Sequence, residues 1–544
     1  MSEGIDTFDY VVVGSGAAGS IVAARLAEDD RATVCVLEAG PSDKNRYIHI
    51  PAGFIKTLFD PAYTWQFRTE ASPHIGGRQI ATIQGRVVGG SSSINGMIYN
   101  RGLPSDFNHW AQLGNRGWGY EDVLPYFRRT ERRIGFGADG VRGRDGAMPV
   151  TDMDWIHPVS EAFIAGAVGM GIPRNPDYNS GDQPGVGYFQ RTIHRGKRIS
   201  AARAFLWPAL RRGNIDLRTE ARACSIVFDK GRAVGVRYLN SRGGASSEVR
   251  ARREVVLCCG TANSARLLQV SGVGSADLLN SLGVPVVHAL GGVGEKLKDH
   301  YSIRSTVRAK SNVITLNEIA RNVRLGVQIA RWALGRPSIL AVVPSQVYAF
   351  WKSAPHLEDT DLQFMFTPGS YKQGRNYVLD DYPGMTCGVE PHRPDSFGYV
   401  RARSTDVFED PIIQPNYLAA ETDRRTIVLG LKLVRRLLST PELARYVEGE
   451  ILPGPLVQND DELLDYCRNN GSTGFHLVGT CRMGPESDPG AVVDDRLRVH
   501  GLRGLRVIDA SIMPNIPSAN TYASTMMIGE KGADLIRQDA KAGA

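Results

Sequence analysis

Gly14, Gly16 and Gly19 stand in the spacing G-x-G-x-x-G, and Glu38 follows at the distance where a dinucleotide site places an acid. Gly14 permits a tight turn. Gly16, with Ser15 before it, lets main chain approach a pyrophosphate, and Gly19 lets a helix pack close to a strand. The phosphates meet unpaired N–H groups at the helix start, and the carboxylate accepts from a ribose hydroxyl. The elements that must position these residues are legible around them. Phe8–Val13 reads as an apolar strand, Ser20–Ala27 as a helix and Thr33–Leu37 as a second strand that ends at Glu38-Ala39-Gly40. The motif alone does not separate FAD from NAD.

Later segments do. Gly85-Arg86-Val87-Val88-Gly89-Gly90-Ser91-Ser92-Ser93-Ile94-Asn95-Gly96 resembles the first signature of the glucose–methanol–choline (GMC) oxidoreductases, and Gly260 to Gly274 resembles the second. Gly292 to His300, Phe475-His476 to Gly484 and Leu505 to Gly529 resemble three further family blocks. Their order and spacing agree from about residue 8 to residue 537. The family's usual Pro is replaced by Ala265, and its Pro and Asn by Gly291 and Lys296, which leaves the chemistry untouched.

The resemblance implies FAD and oxidation of an alcohol, with a hydride passing to flavin N5 and the hydroxyl proton to a base. His476 occupies the position of the family's base, and imidazole titrates near neutrality. Asn520 occupies the second active-site position; its amide can donate to the alcohol oxygen. By the same carry-over Glu38 holds the adenosine ribose and the backbone of Ala223 meets the adenine. Gly90, Asn95 and Gly96 lie along the pyrophosphate and flavin, and Asp509, Ala510, Asn520 and Thr521 touch the cofactor. Ser15, Ala39, Trp65, Ser91 and Met97 complete the expected cofactor set, and Gly474 and Phe475 the substrate pocket, with Met97 and Ile98 as further wall candidates. Relatives that bind flavin covalently use a histidine where this chain has Ile94, so the FAD is expected to be non-covalent. His109, His194, His300 and His500 are read as structural.

The run Tyr99–Pro104 and the stretch Ser511–Asn520 are most similar to bacterial oxidases of primary, aryl and hydroxymethylfurfural-type alcohols. The expected partners are a small alcohol and either oxygen or another electron acceptor. A choline-type dehydrogenase, a non-redox hydroxynitrile lyase and a photodecarboxylase on the same fold remain open alternatives, as does the choice between oxidase and dehydrogenase.

Composition narrows the field further. A net charge of +7 spread over scattered arginines, without a basic run or nucleic-acid motif, gives no case for nucleic-acid binding. Seven cysteines without regular spacing suggest neither a disulfide framework nor a metal site. No transmembrane helix and no cleaved leader are expected, and the default location is cytoplasmic. A single core rarely exceeds about 250–300 residues, so 544 residues imply two domains. The expected class is α/β. A Rossmann-like FAD-binding domain takes residues 1–155, 200–300 and 455–544. An α+β substrate-binding domain, built on an antiparallel sheet, takes 156–199 and 301–454. Within these, Ile215–Leu217, Ala221–Phe228 and Ala233–Tyr238 read as a meander, and Leu316–Ala333 as helical.

Overall fold

A computed structural model describes residues 5–374 and 377–542. Its first sheet is made of β1 (Asp6–Val13), β2 (Val34–Leu37), β3 (Ile215–Arg218), β4 (Arg222–Asp229), β5 (Arg232–Leu239), β6 (Ser246–Leu257) and β7 (Leu505–Val507). The spatial order is β3-β2-β1-β6-β5-β4, with β7 beside β6. β1 pairs in parallel with β2 and with the end of β6, which also takes β7 in parallel. All four residues of β2 are buried, as expected of a parallel strand covered on both faces. The covering helices include α1 (Gly19–Leu26) and, from the other end of the chain, α4 (Tyr522–Ala542), which pack together. The contact is close because position 529 is glycine: a Cβ there would fall 2.9 Å from Ala18.

The second sheet is antiparallel. Its strands run 447–452, 301–309, 384–391, 362–367, 347–351 and 185–188 in spatial order. Alternation decides what faces what. Met385, Cys387 and Val389 point into a core closed by the helices Pro158–Gly169 and Glu421–Leu438, where Phe163 stacks on Phe366 at 4.3 Å. Glu390 and its register partner Gln363 therefore face the opposite way, towards the first sheet's ligand edge.

Two elements differ from the sequence reading. Ile215–Leu217 does not belong to the meander: β3 pairs in parallel with β2 at the sheet edge, and the meander is β4-β5-β6. The stretch Leu316–Ala333 is broken into Leu316–Ile319 and α3 (Asn322–Ala333), with α2 (Thr261–Val270) following the glycine turn of the second signature. The break has a local cause. Arg321 is extended and Asn322 adopts φ +48°, a left-handed geometry that no continuous helix contains. Among the described residues, no helix is long and apolar enough to cross a membrane.

Candidate active site

A cleft of about 1980 Å³, counting its open mouth, runs along the carboxyl ends of β1 and β2. One end is lined by Gly14, Gly16, Glu38, Ala39, Trp65, Gly90 and Ala223. Here the surface is largely main chain. Gly14 has φ +100°, and a Cβ on it would sit 2.4 Å from the Cys258 carbonyl oxygen. A Cβ on Gly90 would fall 2.7 Å from the Gly16 Cα, so the two backbones meet with no side chain between them. This strip at the start of α1 fits a pyrophosphate. Ser15 and Gly19 lie behind the wall rather than on it. Gly19 packs on Gly14, and Ser15 donates to Glu38 through its N–H (3.0 Å) and its hydroxyl (2.6 Å). Gly40 N–H donates to the other carboxylate oxygen at 2.9 Å. Burial raises the Glu38 carboxyl above its usual range against these three donors.

Two cations at this end had no signal in motif spacing. The Arg222 guanidinium lies between the rings of Trp65 (4.5 Å) and Phe408 (4.2 Å), and Arg266 is buried beside the same Trp65. Neither forms a salt bridge among the described residues, and burial pulls both down to about 10. Both line the cleft and complement a dianionic dinucleotide. The buried side-chain oxygen of Asn263 on the wall also has no partner among the described residues. Main chain without side chains, unpaired cations and an unsatisfied acceptor are what an FAD moiety requires, and the residues present fit it.

The other end is lined by Asn95, Gly96, Met97, Ile98, Gly474, Phe475, His476, Asn520 and Thr521, with Ser91, Asp509 and Ala510 along the wall between. The short strand Ser472–Thr473 pairs with Tyr301–Ser302, which brings the turn at His476 against the segment before residue 301. Asp299 pins that turn. Buried, it accepts from the His476 N–H at 2.7 Å and from the hydroxyls of Thr473 and Tyr417. Met97 and Phe475 both hold positive φ (61° and 62°), costly for side-chain-bearing residues, and both line the cleft.

Hydrogen bonds fix the tautomer of His476. His300 Nε2 is 2.8 Å from the His392 carbonyl oxygen, which can only accept, so this nitrogen carries the proton. His300 Nδ1 is then a lone pair, 3.0 Å from His476 Nδ1, which must donate to it. That leaves His476 Nε2 unprotonated, and Asn520 Nδ2 donates to it at 3.0 Å. Both ends of the chain demand the same tautomer. Burial favours the neutral form of both rings: it lowers His300 to about 4 and holds His476 well below the usual imidazole range, with His300 adding to the effect. Asn520 Oδ1 is buried without a partner among the described residues, an acceptor left over at the cleft.

His300, read as structural from the sequence, is therefore in direct contact with His476, a correction that only the strand pairing at 301–302 makes visible. Glu390 was missed altogether. Its Oε1 accepts from Gln363 Nε2 at 3.0 Å and lies 3.9 Å from His300 Nδ1. Burial, with the Asp299 charge adding, pushes its carboxyl up to about 8. His300, His476 and Glu390 place ligand-type atoms within 4.8 Å of one another, but the two ring nitrogens share a proton, as a hydrogen bond needs. His109, His194 and His500 do not line the cleft.

Comparison with known proteins agrees over the whole length. Two models of the GMC oxidoreductase family match, one over residues 8–302 and the other over 394–529. The chain is 37% identical over 532 residues to the alcohol dehydrogenase [acceptor] of Pseudomonas putida, covering 97% of this chain and 95% of that protein. It is 40% identical over 544 residues to the mitochondrial choline dehydrogenase of Homo sapiens, covering 98% and 91%. Among solved structures, pyridoxine 4-oxidase from Mesorbium loti superposes with a TM-score of 0.88 at 31% identity, covering 98% of this chain and 99% of that one.

Proposed function

This chain belongs to the GMC oxidoreductase family, and we propose that within it the reaction is oxidation of an uncharged primary alcohol to the aldehyde, with His476 as the base. As a family member it is an FAD-binding flavoprotein oxidoreductase acting on CH–OH donors. Ile94 offers no nucleophile for a covalent link, so the FAD is held non-covalently. When bound, FAD supplies the acceptor for the hydride.

One observation carries the reading: His476 Nε2 is a lone pair, fixed from behind through His300 and the His392 carbonyl, and it faces the cleft beside Asn520. An alcohol entering there meets an acceptor for its proton at Nε2 and an amide donor for its oxygen at Asn520. As the proton arrives, His476 Nδ1–H already points at His300, so the cation that forms is hydrogen-bonded on that side, while at Nε2 the alcohol-derived oxygen takes the place of the Asn520 N–H, which can only donate. Phe475, Met97 and Ile98 line this end of the cleft and help exclude water.

The choline-type reading draws support from the human relative. The cleft favours a neutral substrate. Its acids, among the described residues, are Glu38 and Asp509, both engaged in turns at the cofactor wall. Phe54, Leu58, Ile83, Ile94, Pro344, Tyr377 and Phe475 line the cleft as well, and the carboxylates near His476, Glu390 and Asp299, are buried and hydrogen-bonded within the protein, which supports a neutral substrate. The division into a cofactor domain (1–155, 200–300, 455–544) and a substrate domain (156–199, 301–454) accompanies this proposal, supported by which segments build each sheet.

The test is anaerobic mixing of the holoenzyme with a panel of primary alcohols and choline while flavin absorbance is followed, then admission of air. Bleaching by neutral primary alcohols and not by choline is the expected result. Bleaching by choline alone would replace this substrate class. Peroxide formed on fast recolouring identifies oxygen as the acceptor.

A further inference from the structure

Helix α3 buries none of its residues. Its inner side is held by Leu325, by Gln328, which accepts from the Ile339 N–H (3.1 Å), and by Trp332, whose Nε1 donates to the Gly196 carbonyl (2.7 Å). The side turned to solvent is not polar. Val323, Val327, Ala330 and, one step past the helix, Leu334 follow the spacing i, i+4, i+7, i+11 and so form one stripe. Val323 is 81% exposed, Val327 52% and Leu334 73%. An apolar line of this helix thus lies open to solvent.

Within this stretch of chain the acidic residues are missing and the basic ones are not. No Asp or Glu occurs between Glu318 and Glu358, whereas Arg321, Arg324, Arg331 and Arg336 do. Arg321 is held by Asp381 at 2.9 Å, while Arg324, Arg331 and Arg336 form no salt bridge among the described residues. The helix is also tied to the cleft at both ends. Arg321 donates to the Asp380 carbonyl (2.6 Å), close to Tyr377, which packs edge-on against Phe54 of the cleft wall (5.3 Å). At the other end α3 packs on the turn Ile339–Ala341, which in turn meets Pro51–Gly53. Ile55, Phe59 and Val378, on these same wall segments, are exposed apolar side chains as well.

We propose that α3 is a docking surface for an anionic lipid bilayer, lying flat with Val323, Val327 and Leu334 in the interface and Arg324, Arg331 and Arg336 on the headgroups. An apolar stripe flanked by arginines is the composition of an interfacial helix. The charges decide against a second copy of the chain, because a two-fold contact would set this patch of unpaired arginines against itself. They match a surface rich in negative headgroups. Docked this way, the protein stands with the cleft wall beside the bilayer, independently of which alcohol it oxidises.

Sedimentation of the holoenzyme with phosphatidylcholine vesicles, with and without phosphatidylglycerol, tests this. Binding is expected to the phosphatidylglycerol vesicles, to fall with added salt, and to weaken about fivefold for each of Arg324→Gln and Arg331→Gln. The triple change Val323→Asp, Val327→Asp, Leu334→Asp is expected to abolish it while alcohol still reduces the flavin in solution at the parent rate. That preserved rate shows that the variant is folded. A holoenzyme that stays in the supernatant, or a triple variant that sediments like the parent, overturns the proposal. So does light scattering in which the parent is a dimer and the triple variant a monomer, for then the occupant is a second copy.

Discussion

At the cofactor end of the cleft, the turn that would hold the pyrophosphate is local: Gly14, Ser15, Gly16, Gly19 and Glu38 come from one strand-turn-helix-strand unit, and much of what they present is backbone, with Gly90, Arg222 and Arg266 added from further along the chain. At the base end, five segments converge, and each contributes a side chain. His476 and Asn520 come from separate turns of the C-terminal region, His300 from the lip of a strand, and Gln363 and Glu390 from the face of the antiparallel sheet. The first end cannot be switched off by changing one functional group, because main chain has none to change. The second can. Affinity for the cofactor and rate of chemistry should therefore respond to different substitutions.

The largest separation is expected at His476. In His476→Ala, reduction of bound flavin by alcohol should slow by about 10²–10⁴-fold with the FAD content unchanged. Loss of FAD instead would mean that the two ends are not separable. His300→Leu removes the acceptor of the His476 Nδ1–H. A lost hydrogen bond to a charged group corresponds to about tenfold to a hundredfold in kcat. His300 acts as a positioning residue, so His300→Gln, whose amide oxygen can accept, should recover part of the rate and of the parent pH profile. A variant with no altered pH profile would make the His300 contact merely structural.

The pH dependence sharpens the same contrast. Burial lowers the His476 pKa, and the base works only when unprotonated. Hence kcat/KM should be level at and above neutrality and fall, by about tenfold per pH unit, only below the ordinary imidazole range. A limb centred at or above neutrality would point to another group. The smallest effect belongs to the cofactor end. Glu38→Gln leaves an acceptor at the ribose position and should weaken FAD binding by about tenfold or less, with the reduction rate of the bound flavin intact. Titration of the apoprotein by flavin fluorescence measures it.

The same contrast explains what could be read in advance. The turn from Gly14 to Glu38 was legible because its partners are local, so spacing alone encodes the geometry. His476 and Asn520 could be named only through the family resemblance, since an isolated histidine says nothing of its surroundings. His300 was misjudged because its contact with His476 spans 176 positions and depends on two short strands pairing. Glu390 and Gln363 were invisible until strand register turned them onto one face. β3 was assigned to the meander for the same kind of reason: its parallel partner, β2, lies far back in the chain and no turn announces it. In the stretch from Leu316 to Ala333, helical composition was real, but nothing in it marks the left-handed Asn322 that divides it.

The first cofactor-binding unit is finished by the last elements described. β7 completes the parallel strands at β6, α4 presses Gly529 onto Ala18, and Glu530 takes Arg25 of α1 at 2.7 Å. Residues 505–542 leave the ribosome long after residue 38, roughly half a minute to a minute and a half later at about 5–20 residues per second. Through that interval the glycine turn stands without its backing. Flavin capture should thus wait for residues 505–542, and chains interrupted before α4 should accumulate as colourless, chaperone-dependent polypeptide.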